Sequence, residues 1–289
     1  MKNAGPLRMD SRQADPQLLD RLGEVLDELG SVVVAFSGGA DSSLLAWAAN
    51  KALGTEKSLC VTAVSASLAP WELDDARRLA ADWGLRWMPV QTAELADARY
   101  VANGADRCFR CKSHLMDSLG PIAEDRGAVV VLGVNTDDLN EHRPGQVAAK
   151  MQGARFPLVE AGLDKAAVRR LSAEIGLETW DKPAAACLAS RVPTGTAVTA
   201  ETLSRVARAE AALRNAGFAQ VRVRHYGDMA RIEVELEQLE RVLKLRADIV
   251  AAVKDAGYGR VTLDLEGFRS GNLDPLNAKR SHPSEAQQR

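Results

Sequence analysis

Apolar positions along this chain follow two rhythms, and the change between them falls near residue 195. Leu18, Leu19, Leu22, Val25, Leu26 and Leu29 recur at helical spacing, with Gly30 as a C-terminal stop. SVVVAF (31–36) is a short β-branched run, suited to a strand buried on both faces. LLAWAANKAL then reads as a helix, CVTAVSA (60–66) as a second buried strand and LDDARRLAADWGL (73–85) as a second helix. RWMPV (86–90) predicts a shorter strand; a long irregular segment follows to about residue 115, then a helix, then the buried strand AVVVLGVN (128–135). Strands and helices alternating at this spacing predict a parallel α/β sheet with right-handed crossovers.

After residue 195 the strands alternate instead. VRVRHYG (221–227), ARIEVEL (230–236) and RVTLDLEGF (260–268) each place every second residue on a polar face, between helices at 203–217 and 239–257. Alternation predicts strands with one face on a core and one exposed. The expected organisation is a Rossmann-like α/β domain over 17–194, a smaller C-terminal α+β domain over 195–272, and a disordered apolar-poor tail over 273–289.

Composition narrows the function classes. The chain has 289 residues, 46% hydrophobic and 26% charged, with 37 Lys and Arg against 39 Asp and Glu and a net charge of -2. That balance argues against a dedicated nucleic-acid binder. The longest charge-free stretch, Ser58 to Trp71, is too short to span a bilayer. The polar opening MKNAGPLRMDSRQADPQ has no apolar core, and four cysteines make no disulfide scaffold, so a cytoplasmic protein of a reducing compartment is expected.

SGGADS (37–42) lies where a strand ends and a helix begins. Paired glycines let the backbone approach an anion, and the helix offers free N–H groups and the positive end of its dipole. Ser37 and Ser42 add hydroxyl donors. The plain alternative is a strand–turn–helix connection with glycines for geometry alone. VAFSGGADSS resembles the PP-loop of the N-type ATP pyrophosphatases, which bind pyrophosphate when ATP adenylates a substrate. The resemblance implies ATP and pyrophosphate at Ser37, Gly38, Gly39, Asp41 and Ser42, and Mg²⁺ with help from Asp41. No GxxxxGK[ST] string is present, which argues against a P-loop kinase or GTPase.

DRCFRCK sets Cys108 and Cys111 at CxxC spacing, and KPAAACLASR carries Cys187. A lone CxxC fits zinc, iron–sulfur, a redox disulfide or no function; Cys60, inside an apolar strand, reads as core. Three cysteines can hold a [4Fe–4S] cluster and leave one iron open. VAFSGGADSS, RCFRCKSHL, GVNTDDLNEHRPG, KPAAACLASR, VRVRHYGDMARIE and VTLDLEGFRSG together resemble, in order, the LarE-type ATP-dependent sulfur transferases. These act in the biosynthesis of the nickel-pincer nucleotide, adenylating a carboxylate of pyridinium-3,5-biscarboxylic acid mononucleotide and replacing an oxygen by sulfur. One form of the family sacrifices a single cysteine, and the other carries three cysteines on a [4Fe–4S] cluster. Cys108, Cys111 and Cys187 match the three-cysteine form, with a sacrificial Cys187 as the alternative.

The resemblance assigns Arg222 and Arg224, which alternate on one strand, to the substrate phosphate, and Glu210 and Glu233 to a divalent cation. Arg191 could steady the adenylate; Asp137, Asp138 and Arg143 follow a strand end, where ligands of open α/β sheets collect. Lys112 could neutralise phosphate or thiolate, and His114, His142, His225 and His282 form no zinc spacing. The expected partners are a small nucleotide and further copies of the chain, with no nucleic acid and no membrane. Rival readings are a tRNA-thiolating PP-loop enzyme, an ammonia-using ligase and a non-catalytic scaffold. The first lacks further cysteine or zinc motifs and the second a glutaminase domain. The intact SGGADS string speaks against the third.

Overall fold

A computed structural model describes residues 16–140, 144–183 and 186–269. The expected tail at 273–289 lies outside the described residues, as do His142, Arg143 and His282. The chain runs α1 (Pro16–Leu29), β1 (Val32–Ala35), α2 (Ala40–Leu53), β2 (Ser58–Val64), α3 (Pro70–Asp82), β3 (Arg86–Gln91), α4 (Ala98–Val101) and α5 (Arg107–Asp125). It continues with β4 (Val129–Leu132), α6 (Pro144–Met151), α7 (Pro157–Glu160), α8 (Lys165–Glu174) and a 3-10 turn at Leu188–Arg191. The last part holds α9 (Ala200–Asn215), β5 (Val221–Tyr226), β6 (Met229–Val234), α10 (Leu239–Lys244), α11 (Arg246–Asp255) and β7 (Arg260–Leu263).

β1 to β4 form a parallel sheet in the order β3-β2-β1-β4. Its central strands are apolar because both faces are covered. Val32 and Val34 point into a core with Leu22, Leu26, Leu44, Leu45 and Leu79, while Val33 packs with Leu115, Leu119 and Val130 on the other face. β3 sits at the edge and is largely open, which suits Pro89 in its middle. The long irregular segment expected before residue 115 is shorter than the sequence suggested: α5 begins at Arg107, so Cys108 and Cys111 lie in its first turns.

The smaller sheet runs β5-β6-β7, with β5 and β6 antiparallel and β6 and β7 parallel. α9 and α11 cover it, through Leu213, Phe218, Val223, Ile232, Ile249 and Val253. One expectation fails here. The alternating strand β5 has no exposed face until Tyr226, because Arg224 is buried against a carboxylate and Arg222 against main chain and an aromatic ring rather than left in water. The single helix expected over 239–257 is two, broken at Leu245. Among the described residues no helix is long and apolar enough to cross a membrane.

Candidate functional site

The phosphate loop and the residues packed on it sit at the carboxyl ends of β1 and β4. Gly38 holds φ +70°, a conformation that favours glycine, and Gly39 caps α2 in extended geometry. The Ser37 amide donates to Ser42 Oγ at 3.3 Å, the two hydroxyls lie 3.0 Å apart, and Ser42 Oγ donates to the Gly39 carbonyl at 3.1 Å. The loop is thus pre-formed, with the α2 N-terminus aimed across it. β4 closes tightly on it: a Cβ at Gly133 would stand 2.6 Å from the Ser42 nitrogen and 2.8 Å from the Asp41 carbonyl carbon. Two residues on, Asn135 donates from Nδ2 to Asp41 Oδ1 at 2.9 Å, and its own amide reaches Asp138 Oδ2 at 3.4 Å. One buried residue therefore orients both carboxylates, Asp41 through its side-chain amide and Asp138 through its backbone N–H.

The loop opens into a cavity of about 560 Å³ that also holds Cys108, Cys111 and Cys187. Cys108 and Cys187 are exposed and Cys111 is half-buried. Burial, the nearby Cys187 thiol and Glu94 push the Cys111 thiol up to about 12. Arg107 donates to Asn103 Oδ1 at 2.6 Å and to the Ala189 carbonyl at 2.9 Å, tying α5 to the 3-10 turn after Cys187. Burial opposes its charge, but Cys187 and Cys108 outweigh that and the net shift is upward. Burial also pulls the Lys112 ammonium below its ordinary range, although all three cysteines act the other way. Among the described residues no group of three or more His, Cys, Asp or Glu side chains is compact enough for one metal ion. Cys60 is a core residue, pushed up to about 12 by burial.

Glu94 and Tyr100, on the far wall, gave no signal in the sequence. Glu94 is 3% exposed, takes a 3.4 Å hydrogen bond from Ser67 on one oxygen and has none on the other; the Tyr100 hydroxyl is likewise buried and unbonded. Neither sits in a recognisable string, and only folding brings them to the cysteines.

Of the other expected residues, Arg191, Glu210 and Arg222 line a second cavity, of about 310 Å³, at the junction of the two sheets. Arg191 forms a two-pronged ion pair with Glu210, at 2.8 and 2.9 Å, and also donates to the Ala186 and Cys187 carbonyls. The Glu210 oxygen Oε1 accepts from the Val223 amide as well. Arg224 gives two hydrogen bonds to Glu233 Oε2, at 3.0 and 2.7 Å, and one to the Ser190 carbonyl; Arg231 holds the other Glu233 oxygen. Glu210 and Glu233, expected as cation ligands, are each paired with arginine, and Arg224, expected on a phosphate, is paired with Glu233. Arg222 lines the cavity and makes no ion pair with a carboxylate among the described residues. Asp137 Oδ2 accepts from the Lys165 amide, His114 faces Asp97 at 3.3 Å, and His225 faces the Tyr258 hydroxyl at 3.2 Å.

Residues 17–106 match the NAD synthase family model, which covers the phosphate loop and its flanking strands. The chain is 44% identical over 264 residues to an uncharacterized protein of Synechocystis sp., covering 90% of this chain and 98% of that one. It is 28% identical over 240 residues to an uncharacterized protein of Methanocaldococcus jannaschii, covering 83% and 91%. Against the pyridinium-3,5-bisthiocarboxylic acid mononucleotide synthase of Lactiplantibacillus plantarum it is 37% identical over 255 residues, covering 88% of this chain and 92% of the relative. With that identity extending over most of both chains, and the phosphate loop inside the matched family model, the chain belongs to the LarE family of PP-loop, ATP-dependent sulfurtransferases.

Proposed function

We propose that this enzyme uses ATP to adenylate a carboxylate of pyridinium-3,5-biscarboxylic acid mononucleotide and then replaces an oxygen with sulfur, in the assembly of the nickel-pincer nucleotide. The observation that carries the reading is one cavity holding both a pre-formed pyrophosphate loop and three cysteines. In the first step a carboxylate oxygen attacks the α-phosphorus and pyrophosphate leaves onto Ser37, Gly39, Ser42 and the α2 N-terminus. Asp41 and Asp138, both oriented by Asn135, are the carboxylates that would share Mg²⁺ with the phosphates. Lys112 and Arg107 bring positive charge to the same space. In the second step sulfur attacks the acyl carbon and AMP leaves with the displaced oxygen.

Cys108, Cys111 and Cys187 would hold a [4Fe–4S] cluster. The donor set fits in kind: three cysteine thiols line one cavity, and thiolates are the ligands that such a cluster takes. When bound, the cluster supplies an open iron from which sulfide can be delivered. A high Cys111 pKa also suits a thiol that ionises only when a metal centre arrives. The rival is Cys187 as the sole, sacrificed sulfur donor, which its exposure in the cavity permits. Incubation with ATP, Mg²⁺ and the biscarboxylate nucleotide should release AMP and pyrophosphate only when the nucleotide is present. Release of ADP and phosphate would overturn the adenylation step.

A further inference from the structure

Two of the four cations lining the 310 Å³ junction cavity are paired with carboxylates, and two make no such pair among the described residues. Lys182 is held by Glu72 and Asp75, both at 2.9 Å, and Arg191 by Glu210. Arg222 is 8% exposed, yet its hydrogen bond goes to the neighbouring Val221 carbonyl and its guanidinium lies 5.1 Å from the centre of the Phe268 ring. Arg214, in the last turn of α9, donates to the Ala219 carbonyl and lies 5.0 Å from the centre of the Trp71 ring. A buried guanidinium without a carboxylate is costly unless an anion completes it. The cost is visible: burial and then Arg191, with Arg224 and Arg214 behind them, pull Arg222 down to about 10, although Glu210, already paired with Arg191, acts the other way.

The clamp spans the two halves of the fold. Arg222 rises from β5 at the floor, and Arg214 comes from α9 at the exposed rim. Trp71, in the first turn of α3, supplies the face on which the Arg214 fork is laid flat. Guanidinium stacked on an indole is pre-organised, so less freedom is lost when it grips an anion. Ala186 and Arg191 also line this cavity, while Cys187, next along the chain, lines the other. A ligand anchored here by its phosphate therefore lies one residue away from the sulfur site.

We infer that Arg214, stacked on Trp71, works with Arg222 as a two-arginine clamp for the phosphate monoester of the nucleotide substrate, in the place the family resemblance implied for Arg224. This rests on the proposed substrate, and the experiment separates the two. The full-length protein is titrated calorimetrically with nicotinate mononucleotide, with the same nucleoside lacking its phosphate, and with ATP. The readout is the ratio of nucleotide to nucleoside affinity, which cancels any loss of folded protein. The wild type should prefer the nucleotide. Arg214→Gln should cut that preference roughly tenfold, and Arg214→Glu further, with ATP affinity unchanged in both. Arg214→Lys should restore part of it. A ratio unchanged in Arg214→Gln and Arg214→Glu but lost in Arg222→Ala would overturn the clamp while leaving the substrate reading intact. A wild type that binds nucleotide and nucleoside alike would overturn the substrate reading and the clamp with it.

Discussion

At the scale of single residues, what decides a side chain's role is where its charge is already committed. Asp41 sits in the open phosphate loop with one oxygen held by Asn135 and its other free to face the phosphates. Asp41→Ala should therefore abolish most pyrophosphate release while leaving the thermal midpoint within about a degree or two of wild type, since little of the core depends on it. A large drop in midpoint would mean that the loop is part of the folding unit. Arg224 behaves oppositely. Its guanidinium is 5% exposed and neutralises Glu233, which is fully buried. Arg224→Ala leaves a buried carboxylate short of its main partner, at a cost of about 3–5 kcal/mol. The expected result is a large fall in stability in urea, with ATP and nucleotide affinities declining together as folded protein is lost. A stable Arg224→Ala variant that loses only nucleotide affinity would restore Arg224 as a phosphate ligand.

At the scale of elements, the first sheet was legible and the second only half so. β1, the phosphate loop and α2 announce themselves because a strand covered on both faces must be apolar throughout and the loop needs Gly38 at positive φ. β5 misled because polar alternation ordinarily means solvent, whereas Arg224 is buried against Glu233 and the Ser190 carbonyl, and Arg222 against the Val221 carbonyl and the Phe268 ring, partners that no local pattern reveals. Glu94, Tyr100 and Asn135 were invisible for the same reason: each matters through neighbours supplied by other elements. The CxxC could be seen, but not its place in the first turns of α5, where α6 lies against it. A Cβ at Gly145 would meet the Cys108 carbonyl at 3.0 Å. That placement sets a measurable difference between the two thiols. Cys108 is exposed near a helix N-terminus, while Cys111 is pushed up to about 12 by burial and its acidic and thiol neighbours. A raised pKa means thiolate appears only as pH climbs, so at pH 8 roughly one Cys111 in ten thousand is ionised. In metal-free reduced protein, iodoacetamide should label Cys108 first, and the Cys111 rate should rise about tenfold per pH unit from 8 to 10. A Cys111 rate that levels off near pH 9 would show an ordinary thiol.

At the scale of the whole molecule, two cavities face each other across the segment from Ala186 to Arg191. One holds the phosphate loop and three cysteines, the other Arg214 and Arg222. On the function proposed above, a nucleotide would stay anchored by its phosphate while its carboxylate is first activated and then thiolated. Whether sulfur is resupplied or taken from the chain itself is a question of stoichiometry. Delivery from a cluster held by Cys108, Cys111 and Cys187 leaves all three side chains intact, so activity can continue for as long as sulfide is provided. Sacrifice of Cys187 breaks its Cβ–Sγ bond, leaves dehydroalanine and ends after one event. Protein reconstituted anaerobically with iron and sulfide is expected to give more than one thiocarboxylate per chain in the presence of ATP, substrate and added sulfide. Its mass should be unchanged afterwards, with Cys187 still a thiol. The double variant Cys108→Ala, Cys111→Ala should then lose both bound iron and repeated turnover, while still releasing pyrophosphate, because the phosphate loop does not rest on those thiols. One product per chain, loss of the mass of H₂S at residue 187, and undiminished activity in the double variant would instead establish Cys187 as a single-use donor.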